Sequence, residues 1–145
     1  MKNSGKLLID TGVFLATATE NDRWHGSCLK TLAALNEGTN CYTVESCLVE
    51  TSFFLRQARI SGQRLFDLLR SLSVRVLCLT AADLNRMEQL MSKYSDLPMD
   101  LADAALVAAA ERHDITTVFT TDRRDFNVYR PRHTSRFKLL PAESP

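Results

Sequence analysis

Short apolar runs alternate with helical stretches along the whole chain, and that alternation limits the folds open to it. Strands are expected at Lys6 to Asp10, Asn40 to Thr43, around Val74, Val76 and Cys78, at Thr116 to Thr120, and at Phe137 to Leu140. Between them, helices are expected from Val13 to Ala18, Trp24 to Asn36, Val44 to Ile60 and Gln63 to Ser71. Two more are expected, from an N-cap at Thr80 to Tyr94 and from Pro98 to His113-Asp114. Gly38 and Ser61-Gly62 punctuate the series. Short strands separated by helices call for an α/β fold with a mainly parallel sheet covered by helices on both faces. No repeat, low-complexity tract or composition break divides residues 1–145, so one domain is expected, with a frayed tail over 141–145.

Four acidic residues interrupt this apolar framework. Asp10 ends Leu7-Leu8-Ile9, and Glu50 follows Cys47-Leu48-Val49. Asp103 lies within the apolar stretch Leu101 to Ala110, and Asp122 closes Val118-Phe119-Thr120-Thr121. A buried carboxylate costs several kcal/mol unless it is paired or coordinates a metal. In open α/β sheets, ligand sites form beyond the carboxyl ends of the strands, where Asp10 and Asp122 fall if their strands are neighbours. Glu50, two turns into its helix, would lean back over that edge. Glu45 is too far round the helix to point inward beside Glu50 and reads as a first-turn acid. Asp100 and Asp103, three apart, would share a face near a helix N-terminus, whose positive end favours acid. Taken singly, Asp10 and Asp122 also read as turn residues, Asp100 as a cap and Glu50 as a surface residue beside Arg56 or Arg59. Together they suggest one site, made tolerable by a hard divalent cation such as Mg²⁺ or Mn²⁺ with oxygen ligands.

Net charge is +1, so no strong basic field announces nucleic acid, although Arg123, Arg124, Arg130, Arg132, Arg136 and Lys138 thicken toward the end. Cys28, Cys41, Cys47 and Cys78 show no C-x-x-C pairing and read as small core residues in a reducing cytoplasm. The early acid at position 10 argues against a signal peptide, and no apolar run approaches the roughly 20 residues that span a bilayer.

Four segments, in order, resemble the motifs of PIN domains, specifically VapC-type toxin ribonucleases: Leu8-Ile9-Asp10-Thr11, Val49-Glu50-Thr51, Tyr94 to Ala104, and Thr120-Thr121-Asp122-Arg123-Arg124-Asp125-Phe126. The resemblance implies a three-layer α/β/α sandwich with about five strands. It implies a Mg²⁺- or Mn²⁺-dependent endoribonuclease, usually a homodimer, restrained by a small cognate antitoxin. Asp10 and Asp103 would be direct metal ligands, and Glu50 and Asp122 would complete the shell directly or through water. Thr11 and Thr120 would hydrogen-bond the carboxylates, with Asp100 and Asp125 as outer candidates. Water activated by the ion would attack the phosphodiester in line. Gly12 departs from the pattern, standing where many members have Ser.

Other chemistries fit less well. His25, His113 and His133 are the groups available for metal-free acid–base cleavage, but their segments give no reason for them to converge. A haloacid-dehalogenase-like phosphatase needs a second Asp at position 12, and no Gly-rich phosphate loop appears. A catalytically silent PIN-like RNA-binding or scaffold module would have no need of four mutually repelling acids.

Overall fold

Leu7 and Ile9 turn to one side of the first strand and Leu8 to the other, and the two cores of the molecule grow from that period of two. The computed structural model describes residues 5–145; the first four residues of the expected domain, and their part in the signal-peptide reading, lie outside the described residues. The elements are β1 (Lys6–Ile9), α1 (Thr11–Ala18), α2 (His25–Ala33), β2 (Asn40–Val44), α3 (Glu45–Gln57) and α4 (Gln63–Ser71). They continue with β3 (Arg75–Leu77), α5 (Ala81–Lys93), α6 (Leu101–His113), β4 (Thr117–Phe119), α7 (Arg123–Val128) and β5 (Lys138–Leu140). All pairings are parallel, in the order β3-β2-β1-β4-β5. The α/β sandwich and five-stranded parallel sheet expected from the sequence are the ones observed.

One core packs α1, α2 and α4 against Leu7, Ile9, Cys41 and Phe119; the other packs α5 and α6 against Leu8, Val44 and Val118. Helix α3 serves both, with Cys47 in one and Leu55 in the other. Helix α6 is buried from Ala102 through Ala110. A helix apolar all round belongs inside, and its alanines let it lie close to the sheet and to α5. The far end of α6 is fixed by ion pairs to α5: Arg86 grips Glu111 with two nitrogens, and the Arg112 Nε and Nη2 reach Asp83 at about 2.9 Å. Asp83 is also the reciprocal partner of Thr80 in a capping box.

Several boundaries differ from expectation. Helix α6 begins at Leu101 rather than Pro98, because the Asp100 carboxylate accepts the Asp103 N–H and so sits outside the helix as its cap. Helix α7 was not expected; Asp122 caps it by accepting the Asp125 N–H. Cys78 is exposed, so it is not the core residue its apolar neighbours suggested, whereas Cys28, Cys41 and Cys47 are buried thiols. In the tail expected to fray, Pro141 is buried and the Arg123 guanidinium donates to the carbonyls of Pro141 and Ala142. Among the described residues, no helix is long and apolar enough to cross a membrane.

Candidate active site

Between β1 and β4 the strand order reverses, and both strands end in acid. One half of the sheet is built outward from β1 and the other from β4, so the crossovers diverge and leave a crevice over their carboxyl ends. Asp10 follows β1 and caps α1, its Oδ1 accepting the Thr11 N–H at 2.7 Å. Its Oδ2 accepts the Thr120 hydroxyl at 2.8 Å, and that hydroxyl oxygen accepts the Asp122 N–H at 2.9 Å. Cys47, on the first turn of α3, lies with Sγ 3.9 Å from Asp10 Oδ1. The carboxylate is thus held by contacts from three segments of chain.

Asp103, Asp122 and Asp125 converge more closely: one oxygen from each lies within 4.8 Å of the others. Asp103 comes from the first turn of α6, Asp122 from the cap of α7 and Asp125 from its first turn. Tyr129 completes the arrangement by donating its hydroxyl to Asp103 Oδ2 at 2.7 Å in a buried contact. Its ring is fully buried, edge-on to Tyr94 at 5.1 Å and to Phe126 at 5.2 Å.

Burial pushes Asp103 up to about 8, with the Asp10 charge adding to the effect and the Tyr129 hydrogen bond opposing it. Asp10 is pushed up to about 6 by burial, against the hydrogen bonds from Thr120 and Thr11 and with the charges of Glu50 and Asp122 adding to the rise. Asp122 is raised by burial and by the neighbouring Asp125 carboxylate. The Cys47 thiol is raised by burial and by Asp10, and so stays protonated at neutral pH. These carboxylates lie close enough to repel one another, and burial adds to the cost of ionising them.

Glu50 is partly buried on α3 and close enough to act on Asp10, while Asp100 stays exposed at the cap of α6. Both border a cavity of about 620 Å³ whose floor is Val49, Phe53, Phe54 and Leu101. Glu45 is exposed in the first turn of α3, outside the cluster. Asp125, one of the outer candidates from sequence, stands among the converging three. Thr120 makes the expected bond to a carboxylate, and Thr11 does so through its backbone N–H, its hydroxyl being buried without a partner. Gly12 faces Thr121, whose Oγ1 lies 2.0 Å from where a Cβ on residue 12 would sit. The histidines take no part: His25 and His133 bond the carbonyls of Ala16 and Ile115, and His113 makes no bond to the acids.

Sequence reasoning gave Tyr129 no role, and its partner Asp103 lies 26 positions away. It also missed that Asp122 and Asp125 form a D-x-x-D helix start, a signal that was present in the sequence.

An all-oxygen donor set of three convergent carboxylates fits a small hard divalent ion such as Mg²⁺ or Mn²⁺. Comparison with known proteins agrees with the fold. The PIN domain family matches residues 7–130. Ribonuclease VapC26 of Mycobacterium tuberculosis is 27% identical over 138 residues, covering 93% of this chain and 100% of that protein. Among solved structures, the sarcin-ricin loop cleaving toxin VapC20 of Mycobacterium tuberculosis superposes with a TM-score of 0.68 at 21% identity, over 80% of this chain and 91% of that one. A toxin–antitoxin complex from Klebsiella pneumoniae gives 0.62 at 19% identity, over 83% and 89%. With a family match spanning most of its length, the chain belongs to the PIN domain family.

Proposed function

We propose that this chain is a Mg²⁺- or Mn²⁺-dependent endoribonuclease and the toxin of a toxin–antitoxin pair, acting in the cytoplasm as a homodimer. The observation that carries the reading is the convergence of Asp103, Asp122 and Asp125 beside a fully fixed Asp10 at the switch point of the sheet. The similarity to ribonuclease VapC26 supports RNA as the substrate class.

Asp103, Asp122 and Asp125 would hold the ion, with Asp10 bearing on it directly or through water. When bound, the ion supplies activation of a water molecule and neutralisation of the scissile phosphate. Glu50, partly buried on α3 and near enough for its charge to act on Asp10, would accept a proton from the attacking water and orient it. Thr120 fixes the rotamer of Asp10 and the backbone of Asp122 together, so the two sides of the crevice keep their spacing without the ion. Arg124 is exposed on α7, beside the acids and without an ion pair among the described residues, and suits a flanking phosphate.

The groove beside the site suits the antitoxin. Val49, Phe53 and Leu101 are more than half exposed, and Glu50 and Asp100 rim them. A partner segment with apolar anchors and an Arg would match both features.

Purified protein incubated with structured RNA tests the enzymatic reading. Cleavage is expected with Mg²⁺ or Mn²⁺, to leave 5′-phosphate and 3′-hydroxyl ends, and to vanish in EDTA and in Asp103→Asn. Cyclic phosphate ends, or full activity in EDTA, would overturn it.

A further inference from the structure

Among the described residues, Tyr129 hydrogen-bonds Asp103 and none of the other acids, and it does so from a fully buried ring. Its side chain is fully buried, wedged edge-on between Tyr94 and Phe126. The next residue is pinned as well, the Arg130 N–H donating to the Tyr94 hydroxyl at 2.8 Å. A buried hydroxyl with one acceptor in reach holds its bond, because breaking it strands both groups away from water. Asp103 Oδ2 therefore carries a fixed neutral donor, while the carboxylate contributes an oxygen to the convergence with Asp122 and Asp125.

Cations differ in what they ask of a carboxylate. Ca²⁺ takes 6–8 oxygens at about 2.3–2.6 Å and accepts carboxylates bidentately, whereas Mg²⁺ prefers near-octahedral geometry at about 2.0–2.1 Å with single carboxylate oxygens and water. A hydroxyl locked on Oδ2 takes one lone pair of that oxygen and fixes the carboxylate plane, which disfavours an ion that would take both oxygens of Asp103.

We infer that Tyr129 is a positioning residue that restricts Asp103 to one oxygen toward the cluster, and thereby sets the site for a small ion over Ca²⁺. This inference rests on the metal-dependent reading proposed above and goes beyond it by assigning the choice of ion to a residue outside the four motifs.

The experiment is a pair of binding isotherms, Mn²⁺ and Ca²⁺, on full-length wild type, Tyr129→Phe and Tyr94→Phe, with melting curves in EDTA to verify folding. Phe at position 129 keeps the ring packing and removes only the hydroxyl. Loss of a partner that orients a metal ligand costs about 10–100-fold in affinity, so Mn²⁺ affinity should fall by about tenfold or more. Ca²⁺ affinity should hold or rise, narrowing the Mn²⁺/Ca²⁺ ratio by at least that factor. Tyr94→Phe removes a hydroxyl from the same cluster that contacts no acid and should leave the ratio alone. A ratio within threefold of wild type in folded Tyr129→Phe overturns the inference, and so does equal narrowing in Tyr94→Phe. Wild type that binds neither ion defeats the metal reading itself, and the inference with it. If Tyr129→Phe does not fold, a crystal structure of Mn²⁺-loaded wild type decides. One Asp103 oxygen on the ion with Tyr129 on the other supports the inference, and both oxygens on the ion overturn it.

Discussion

The Thr120 hydroxyl donates to Asp10 across 110 positions of sequence, at 2.8 Å, while its oxygen accepts the backbone N–H of Asp122. One buried oxygen thus ties the ends of β1 and β4 and sets the separation of two acids. Thr120→Val keeps the shape and removes both bonds. It should destabilise the protein by about 1–3 kcal/mol, the cost of stranding a buried polar group, and weaken Mn²⁺ binding by about tenfold. Chemical denaturation and a Mn²⁺ titration measure the two effects; wild-type values in both would show that the hydroxyl only fills space.

Asp10 and Asp103 both carry raised values, so the metal-free native state binds protons more tightly than the unfolded chain. The resulting stability is whole below the unfolded carboxylate value of roughly 4. It is lost as pH climbs through about 6 for Asp10 and about 8 for Asp103. Apo wild type should therefore melt at progressively lower temperature from pH 5 to pH 8, and apo Asp103→Asn should melt no lower than wild type at pH 8. Mn²⁺ reverses the order, since a ligand a hundredfold above its Kd adds about 2.7 kcal/mol to the state that binds it. Equal gains from Mn²⁺ in wild type and variant would remove Asp103 from the site.

Gly12 is required by Thr121 rather than by its own backbone. Gly12→Ser puts a Cβ 2.0 Å from Thr121 Oγ1 and 3.3 Å from Thr121 Cβ. Forcing Thr121 aside shifts the segment that carries Asp122, at a cost of about 1–3 kcal/mol for overpacking and with a matching loss of RNA cleavage. Thr121→Gly in the same chain clears the contact and should restore cleavage. No rescue in a folded double variant would place the fault elsewhere.

Arg112→Ala probes the far end of α6. It leaves Asp83, which is 3% exposed, without a partner whose own side chain is 33% exposed, and stranding a buried polar group costs about 1–3 kcal/mol. The melting temperature should drop sharply while cleavage per folded molecule, measured well below the melt, stays near wild type. A comparable loss of specific activity would mean that the ion pairs at this end govern the site through the helix.

How much of this was legible in the sequence depended on whether a residue's surroundings were local. Asp103 announced itself because the alanines around it leave a carboxylate no polar face to occupy. Asp10 and Asp122 were legible as strand ends, since a run of apolar residues stopping in acid marks an edge of the sheet. Their adjacency was not, because it depends on β4 pairing with β1, a choice made by the crossovers and not by either strand. The nearness of Asp125 to Asp103 was hidden for a related reason: α7 has only 6 residues, too few for periodicity to declare, so the turn that brings the two together went unread. Tyr129 and Asp83 went unread in their tertiary roles. Their decisive partners, Asp103 and Arg112, lie 26 and 29 positions away.

Arg123 opens the helix that bears Asp125, follows Asp122, and donates to the carbonyls of Pro141 and Ala142 just beyond β5. Because every strand runs the same way, those carbonyls emerge on the edge of the sheet where the acids gather. Anything fused behind Pro145 thus hangs from the segment that aims two of the three carboxylates. A polyhistidine handle placed there would sit beside the acids and offer a rival set of ligands for a divalent ion, so metal titrations on such a fusion would report the handle as much as the acid cluster.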